Sequence, residues 1–257
     1  MTESVWELLN DLEDYVRTGF RTRHPAAPAP APEPVDPQFS RSAEIPSGNS
    51  PSFSSGADAS GDPAPTISAL ADRIAGCRLC RLHESRSRTV PGTGVLDPLV
   101  CVVGEAPGIE EDRTGLPFVG PSGEYLDKWL KAIGLSRHRN VFITNSVKCR
   151  PPGNNPPQPD ELQACRPYLF RQLELLSPSM VLILGETAAQ SLSGKADASL
   201  AELRGSLHAV KGIPAVVTYH PSAVLRDQSL RTEVWKDLQL LRDELIQLRT
   251  DYTPGTR

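Results

Sequence analysis

No apolar run in this 257-residue chain approaches the roughly 18 residues that cross a bilayer, which excludes a helical membrane protein. No secretory leader is expected. The 5 cysteines are an odd number, ill-suited to a disulfide framework in a chain long enough for an ordinary core. Nor is there an overall excess of positive charge, since the formal net charge is −4. That total hides an uneven distribution: residues 1–66 hold 4 basic and 10 acidic side chains, so the remainder is positive by 2. A nearly neutral body does not exclude nucleic acid, because clustering sets the local field. One basic cluster exists, Arg137, His138, Arg139, Lys148 and Arg150, and alone it reads as a solvated face.

Four of the cysteines form a pattern. Cys77 and Cys80 make a C-x-x-C pair, Cys149 stands beside Arg150 and Pro151, and Cys165 follows a Pro-rich loop. Two thiolates three residues apart bind one centre from a single turn, and the second pair completes a four-thiolate shell. Such a shell suits structural zinc or an iron–sulfur cluster, and spacing leaves both open. Thiolate ligation needs a reducing, metal-supplied compartment, so a cytoplasmic location is expected. Cys101 lies inside an apolar run and reads as a small core hydrophobe.

Ser4 and Glu7 form a capping box opening a helix within residues 1–20, with Val5, Leu8, Leu9, Leu12 and Val16 along one face. Residues 21–65 turn to Pro, Ala, Ser and Gly, a composition that does not repay chain ordering and predicts a disordered linker. A tethered amphipathic helix fits either a docking element for a protein partner or a segment packed on its own domain. The folded domain is expected over 66–250, with a flexible tail at 251–257. Within it, apolar runs at Leu99–Val103, Val141–Thr144, Met180–Leu184 and Ala215–Tyr219 alternate with helical stretches at Gly123–Ile133, Asp160–Leu176, Glu186–Leu192 and Leu230–Leu248. Strands buried on both faces with helices between them imply an α/β fold with an open, mostly parallel central sheet.

In such a sheet, ligands bind beyond the carboxyl ends of the strands. There the sequence places Gly104-Glu105-Ala106-Pro107-Gly108, then Thr144-Asn145, and His220-Pro221-Ser222. Singly, each is weak evidence: a glycine turn, a turn-forming asparagine, a capping histidine. Together they mark three strand ends converging on one site.

GEAPGIEED (Gly104–Asp112), GLPFVGPSG (Gly115–Gly123), TNSVKCRPPGN (Thr144–Asn154) and HPSAVLR (His220–Arg226) resemble the family 4 uracil-DNA glycosylases, the iron–sulfur branch of that superfamily. The resemblance spans about Ala69 to Leu248. It implies a uracil-DNA glycosylase-like fold and a [4Fe–4S] cluster held by Cys77, Cys80, Cys149 and Cys165. It further implies release of uracil from a nucleotide flipped out of DNA, leaving an abasic site and initiating base-excision repair. Phe118 is then the stacking platform, and Asn145 reads the uracil edge, pairing with N3–H and O4 and leaving cytosine unpaired. Gly104, Ala106, the Gly108 turn and Glu111 border the base, the last two as candidates for excluding the thymine methyl. His220 stabilises the departing uracil anion at O2, Glu105 serves the sugar side or orients water, and Asn154 helps position that water.

For DNA, Ser222 and the Gly92-Thr93-Gly94 turn are expected at phosphates, Arg150 in a basic segment, and Val224, Leu225 or Arg226 as the filler of the vacated base position. The protein is expected to act as a monomer. Two departures from the family pattern stand out. Asn155 replaces a basic residue common in relatives, and Pro151–Pro159 lacks the His of a covalently trapping relative, which also carries Gln at the position of Ala106. A non-catalytic iron–sulfur DNA-binding module, accessory to a replication enzyme, is the rival from another class. Glu105, Asn145 and His220 argue against it, since binding alone needs none of them. A zinc-stabilised α/β hydrolase acting on a nucleotide is a second rival.

Overall fold

Short runs of Val, Ile and Leu flanked by glycine and polar turns become strands here, and the amphipathic stretches between them become helices. The computed structural model describes residues 66–194 and 197–254. The helix expected at 1–20, the linker at 21–65 and residues 255–257 lie outside the described residues. In chain order the elements are α1 (Ile67–Ala75), α2 (Leu82–Ser85), β1 (Thr93–Gly94), β2 (Val100–Gly104), α3 (Ile109–Thr114), α4 (Pro121–Ala132) and β3 (Val141–Asn145). They continue with α5 (Pro159–Leu176), β4 (Met180–Leu184), α6 (Glu186–Ser193), α7 (Leu200–Leu203), β5 (Leu207–Val210), β6 (Ile213–Thr218), α8 (Pro221–Arg226) and α9 (Arg231–Leu248).

Local chemistry sets the element ends. The Thr66 hydroxyl accepts from the Ala69 N–H at 3.1 Å and starts α1. Proline opens α4, α5 and α8, where its missing N–H costs nothing. The Glu161 carboxylate accepts from the Gln158 N–H at 2.8 Å, completing the entry to α5.

The six strands form one open sheet in the order β1-β3-β2-β4-β6-β5. The inner four are parallel, and the outer pairs β1/β3 and β5/β6 are antiparallel. Every residue of β2, β3 and β4 is buried, as expected for strands covered on both faces. One large core gathers Cys101, Phe142, Leu169, Leu173 and Ile183, so Cys101 packs as a hydrophobe. A second core joins Leu70, Ile74, Leu82, Val147 and Tyr168 around Cys149 and Cys165. Among the described residues no helix is long and apolar enough to cross a membrane.

The expected α/β sheet is present, with additions at its margins. β1 and β5 escape periodicity because one is two residues long and the other alternates at an exposed edge. Tyr252, in the segment read as a flexible tail, is buried, and its hydroxyl donates to the Ile133 carbonyl.

Candidate active site and thiol cavity

Parallel register brings the first two functional strand ends level. Gly104 of β2 faces Asn145 of β3, and the chain beyond is tied down where Ser146 N–H donates to Gly104 O at 2.8 Å and Val147 N–H to Glu105 O at 3.2 Å. Position 104 must be glycine for space: a Cβ there would stand 2.5 Å from Asn145 Oδ1 and 2.6 Å from the Phe118 ring. Thus the Gly104 backbone, the Asn145 amide and the Phe118 ring meet at one point.

The Asn145 side chain is 1% exposed, and its Oδ1 has no hydrogen-bond partner among the described residues. A buried acceptor left unpaired is costly, so it marks a place where a ligand donor is awaited. Phe118 adopts a left-handed backbone, φ 53°, which a non-glycine residue holds only when its surroundings enforce it. Arg137 is the enforcing residue: its guanidinium donates to Pro117 O at 3.2 Å and Phe118 O at 3.0 Å while pairing with Asp127 at 2.8 Å. Gly123 lets the helix start press against the Phe118 carbonyl, with no room for a Cβ.

Glu111 links the two loops. Its carboxylate accepts from Gly108 N–H at 3.1 Å, from Val119 N–H at 2.9 Å and from Gly120 N–H at 3.2 Å. The Gly108 turn and the Phe118 loop are therefore held in register by one side chain.

His220 caps α8, and its ring lies 5.6 Å from that of Phe118, tilted by 30°. Ser222 N–H donates to His220 Nδ1 at 3.2 Å, so Nδ1 is the unprotonated nitrogen and the neutral ring carries its proton on Nε2. The Ser222 hydroxyl lies 2.8 Å from the same Nδ1. Burial, with a smaller contribution from the nearby Arg226 charge, lowers the His220 pKa to about 4. A neutral imidazole donor at neutral pH follows.

These residues border one cleft of about 400 Å³, whose walls include Glu105, Ala106, Gly108, Glu111, Phe118, Asn145, Asn154, His220, Ser222 and Arg226. Ile109, 58% exposed at the rim, is a wall residue that the sequence did not single out. Asn154 has φ 55° and accepts from Arg150 Nε at 2.7 Å, so Arg150 acts on the cleft through Asn154.

Several expectations change. Val224 is 1% exposed and packs inward, which removes it as a base-gap filler; Arg226 is exposed and Leu225 is half-buried. The Ser222 hydroxyl, expected at phosphate, is engaged by His220. The Gly92–Gly94 turn forms edge strand β1, where a Cβ on Gly94 would meet Val141 O at 2.2 Å. Those glycines serve close strand approach and lie off the cleft wall. The basic cluster dissolves too, since Arg137 braces a loop and Lys148 is 1% exposed.

The four patterned cysteines are all free and together line a second, small cavity of about 20 Å³, with Arg86 and Lys148. Arg86 Nη1 donates to Cys149 Sγ at 3.0 Å, and Nη2 donates to Ala75 O and Cys77 O. Burial raises the pKa of Cys80, Cys149 and Cys165, the last to about 12, so these thiols keep their protons until something replaces them. Among the described residues no three His, Cys, Asp or Glu close on a point suited to a single metal ion. The thiols surround a space instead. Arg86 had no local sequence signal, because it reaches Cys149 from 63 positions away. Asp112, which accepts from Ser87 and Arg88 N–H and fixes that approach, was equally hidden.

A model of the Uracil DNA glycosylase superfamily matches residues 91–239, which hold the whole cleft. A type-4 uracil-DNA glycosylase from Pyrobaculum aerophilum is 41% identical over 181 residues, covering 68% of this chain and 92% of that protein. Its counterpart in Archaeoglobus fulgidus is 40% identical over 173 residues, 65% of this chain and 86% of that protein. One from Thermotoga maritima is 39% identical over 173 residues, 66% of this chain and 90% of the relative. The chain belongs to the type-4 uracil-DNA glycosylases of that superfamily.

Proposed function

We propose that this protein hydrolyses the N-glycosidic bond of a deoxyuridine flipped out of DNA, releasing uracil and leaving an abasic site for base-excision repair. The unpaired, buried Asn145 Oδ1 above Gly104 carries this reading. It supplies an acceptor for uracil N3–H, and the amide NH₂ supplies a donor for O4. Cytosine presents the reverse pattern at both positions, and a site of this kind discriminates by about 10⁴-fold or more.

Phe118, braced by Arg137, offers the base a stacking face. Heterolysis of the C1′–N1 bond leaves positive charge on the sugar and negative charge on uracil. His220 Nε2–H, its tautomer fixed by Ser222, donates to O2 as that charge develops. Glu105 stabilises the sugar cation and, with Asn154, directs the water whose oxygen bonds to C1′. The water's proton leaves to solvent and the uracil anion is protonated in turn. Lys148 does not border the cleft, in keeping with a monofunctional enzyme without lyase chemistry. Glu111 acts here by holding the loops, so exclusion of the thymine methyl falls to the Gly108 turn it fixes. Arg226 and Leu225 fill the vacated base position, and Arg150 helps carry the DNA backbone.

Cys77, Cys80, Cys149 and Cys165 hold a [4Fe–4S] cluster in this reading. Four free thiols lining one cavity, with a guanidinium donating to one sulfur, can hold such a group, and the resemblance to the iron–sulfur branch favours it over tetrahedral zinc. Bound there, the cluster supplies a rigid clamp on the chain beside Asn145. A monomer working in the cytoplasm completes the proposal, with residues 1–20 as a docking segment for a protein partner. The test is a uracil-containing oligonucleotide incubated with enzyme, treated with alkali and run on a gel. Strand scission at the uracil position is expected, and its absence overturns the proposal. Asn145→Ala and His220→Ala should each lower single-turnover excision by about 10²–10³; unchanged rates in both folded variants would refute the site.

A further inference from the structure

We propose that Lys148 is a positioning residue, a buried cation that neutralises the four-thiolate site and at the same time holds the backbone of the base reader. This rests on the cluster reading above. Lys148 is 1% exposed, one of the most deeply buried large side chains in the protein. Its Nζ donates to Thr144 Oγ1 at 2.6 Å and to Asn145 O at 2.7 Å, both neutral oxygens. An ammonium has three N–H bonds, so one is left without a protein acceptor among the described residues. A buried cation with only neutral partners is strongly disfavoured unless an anion lies close by.

The same side chain borders the cavity formed by Cys77, Cys80, Cys149 and Cys165. Four thiolates on an iron–sulfur cluster leave that site net anionic, and its sulfurs accept hydrogen bonds. The third N–H and the missing counter-charge are satisfied together from the cavity. At its other two bonds the ammonium fixes Thr144 and Asn145, the last residues of β3, and Thr144 Oγ1 is itself anchored to Pro91 O at 2.9 Å. Occupancy of the thiol site thereby bears on the aim of the Asn145 amide.

Two neutral variants separate the charge from the hydrogen bonds. Wild-type protein is first assayed for iron, sulfide and visible absorbance; a colourless, iron-free protein would sink the cluster reading itself. With the cluster present, Lys148→Met and Lys148→Gln are both expected to shift its reduction potential to more negative values, because a nearby positive charge favours the reduced form. Inhibition by free uracil should weaken about ten-fold in Lys148→Met, as for other outer-sphere partners of a metal site, and recover partly in Lys148→Gln, which still reaches Thr144. A potential unmoved in both variants, or unchanged uracil inhibition in Lys148→Met, overturns the proposal while leaving the cluster reading intact. Should neither variant fold, Thr144→Val removes one strut and keeps the charge: weaker uracil inhibition at an unshifted potential supports the proposal, and unaltered inhibition overturns it.

Discussion

The thiol cavity and the base cleft share the short segment from Asn145 to Cys149, yet they are built on opposite principles. The cavity is walled by core side chains of α1, α5 and the Leu82 turn, and it belongs to the hydrophobic interior. The cleft is walled by loops at strand ends, with an unpaired amide, a neutral imidazole and an exposed asparagine facing it. One is a fastening and the other a working surface. Variants should divide accordingly: loss of a cavity cysteine acts on folding and cleft changes on rate.

The largest effect is expected from Cys149→Ala. Loss of one thiol from a site packed among Leu70, Ile74 and Tyr168 removes the Arg86 contact and, on the cluster proposal, one ligand. Absorbance near about 400 nm should disappear. The unfolding temperature should fall by about ten degrees or more, as expected for losing several kcal/mol in a domain of this size. Unchanged absorbance and melting would erase the distinction between cavity and cleft. By contrast, Asn145→Ala and His220→Ala should melt close to the wild type.

Next in size is Gly104→Ala. The new methyl would press on Asn145 Oδ1 and the Phe118 ring, both at under 3 Å. Something must shift, and the amide end is the most mobile neighbour. Excision should fall about 10²-fold, mainly through weaker uracil binding, with free-uracil inhibition as the check. Normal inhibition in this variant would mean that the convergence at Gly104 is not the base site.

The same contrast governs what was legible in the sequence. The cysteines could be found by residue type and spacing, since few other patterns place four thiols so. The apolar runs gave β2, β3, β4 and β6 because strands buried on both faces are mostly apolar without alternation. The cleft's principal residues were legible as strand-end residues, aided by four local motifs. What stayed hidden was bracing from a distance. Arg137 looked like surface charge, yet it lies 19 residues from the Phe118 carbonyl it holds. Lys148 looked like part of a basic face, and only the fold shows it turned inward beneath β3. Val224 sat in a promising motif, but helical phase in α8 directs it to the core.

A smaller effect is expected at the hinge between the loops. Glu111→Gln keeps the size of the side chain but removes the charge that accepts three backbone N–H groups. Charge-assisted bonds are roughly twice as strong as neutral ones, so the loops should loosen without unfolding. Excision should drop about ten-fold, with a rise in KM larger than the fall in kcat, because positioning of the bound base is what suffers. A pure kcat effect would instead place Glu111 at the reacting atoms.

The smallest and most discriminating effect concerns pH. A solvated histidine titrates near 6.5, whereas burial and the Arg226 charge hold His220 at about 4. Between those values the unfolded chain takes up a proton that the folded ring refuses, so His220 lowers stability as pH falls from about 6.5 and the loss levels off below about 4. Catalysis follows a different course. Nε2–H remains a neutral donor throughout that window, with Nδ1 held by Ser222. Single-turnover excision should therefore cross pH 6.5 without an inflection and decline only as pH approaches 4. Ser222→Ala keeps the backbone N–H on Nδ1, so the decline should stay near 4 in that variant. A wild-type inflection near 6.5 would mean that the ring is solvated and titrates freely, and the neutral-donor role would fall with it.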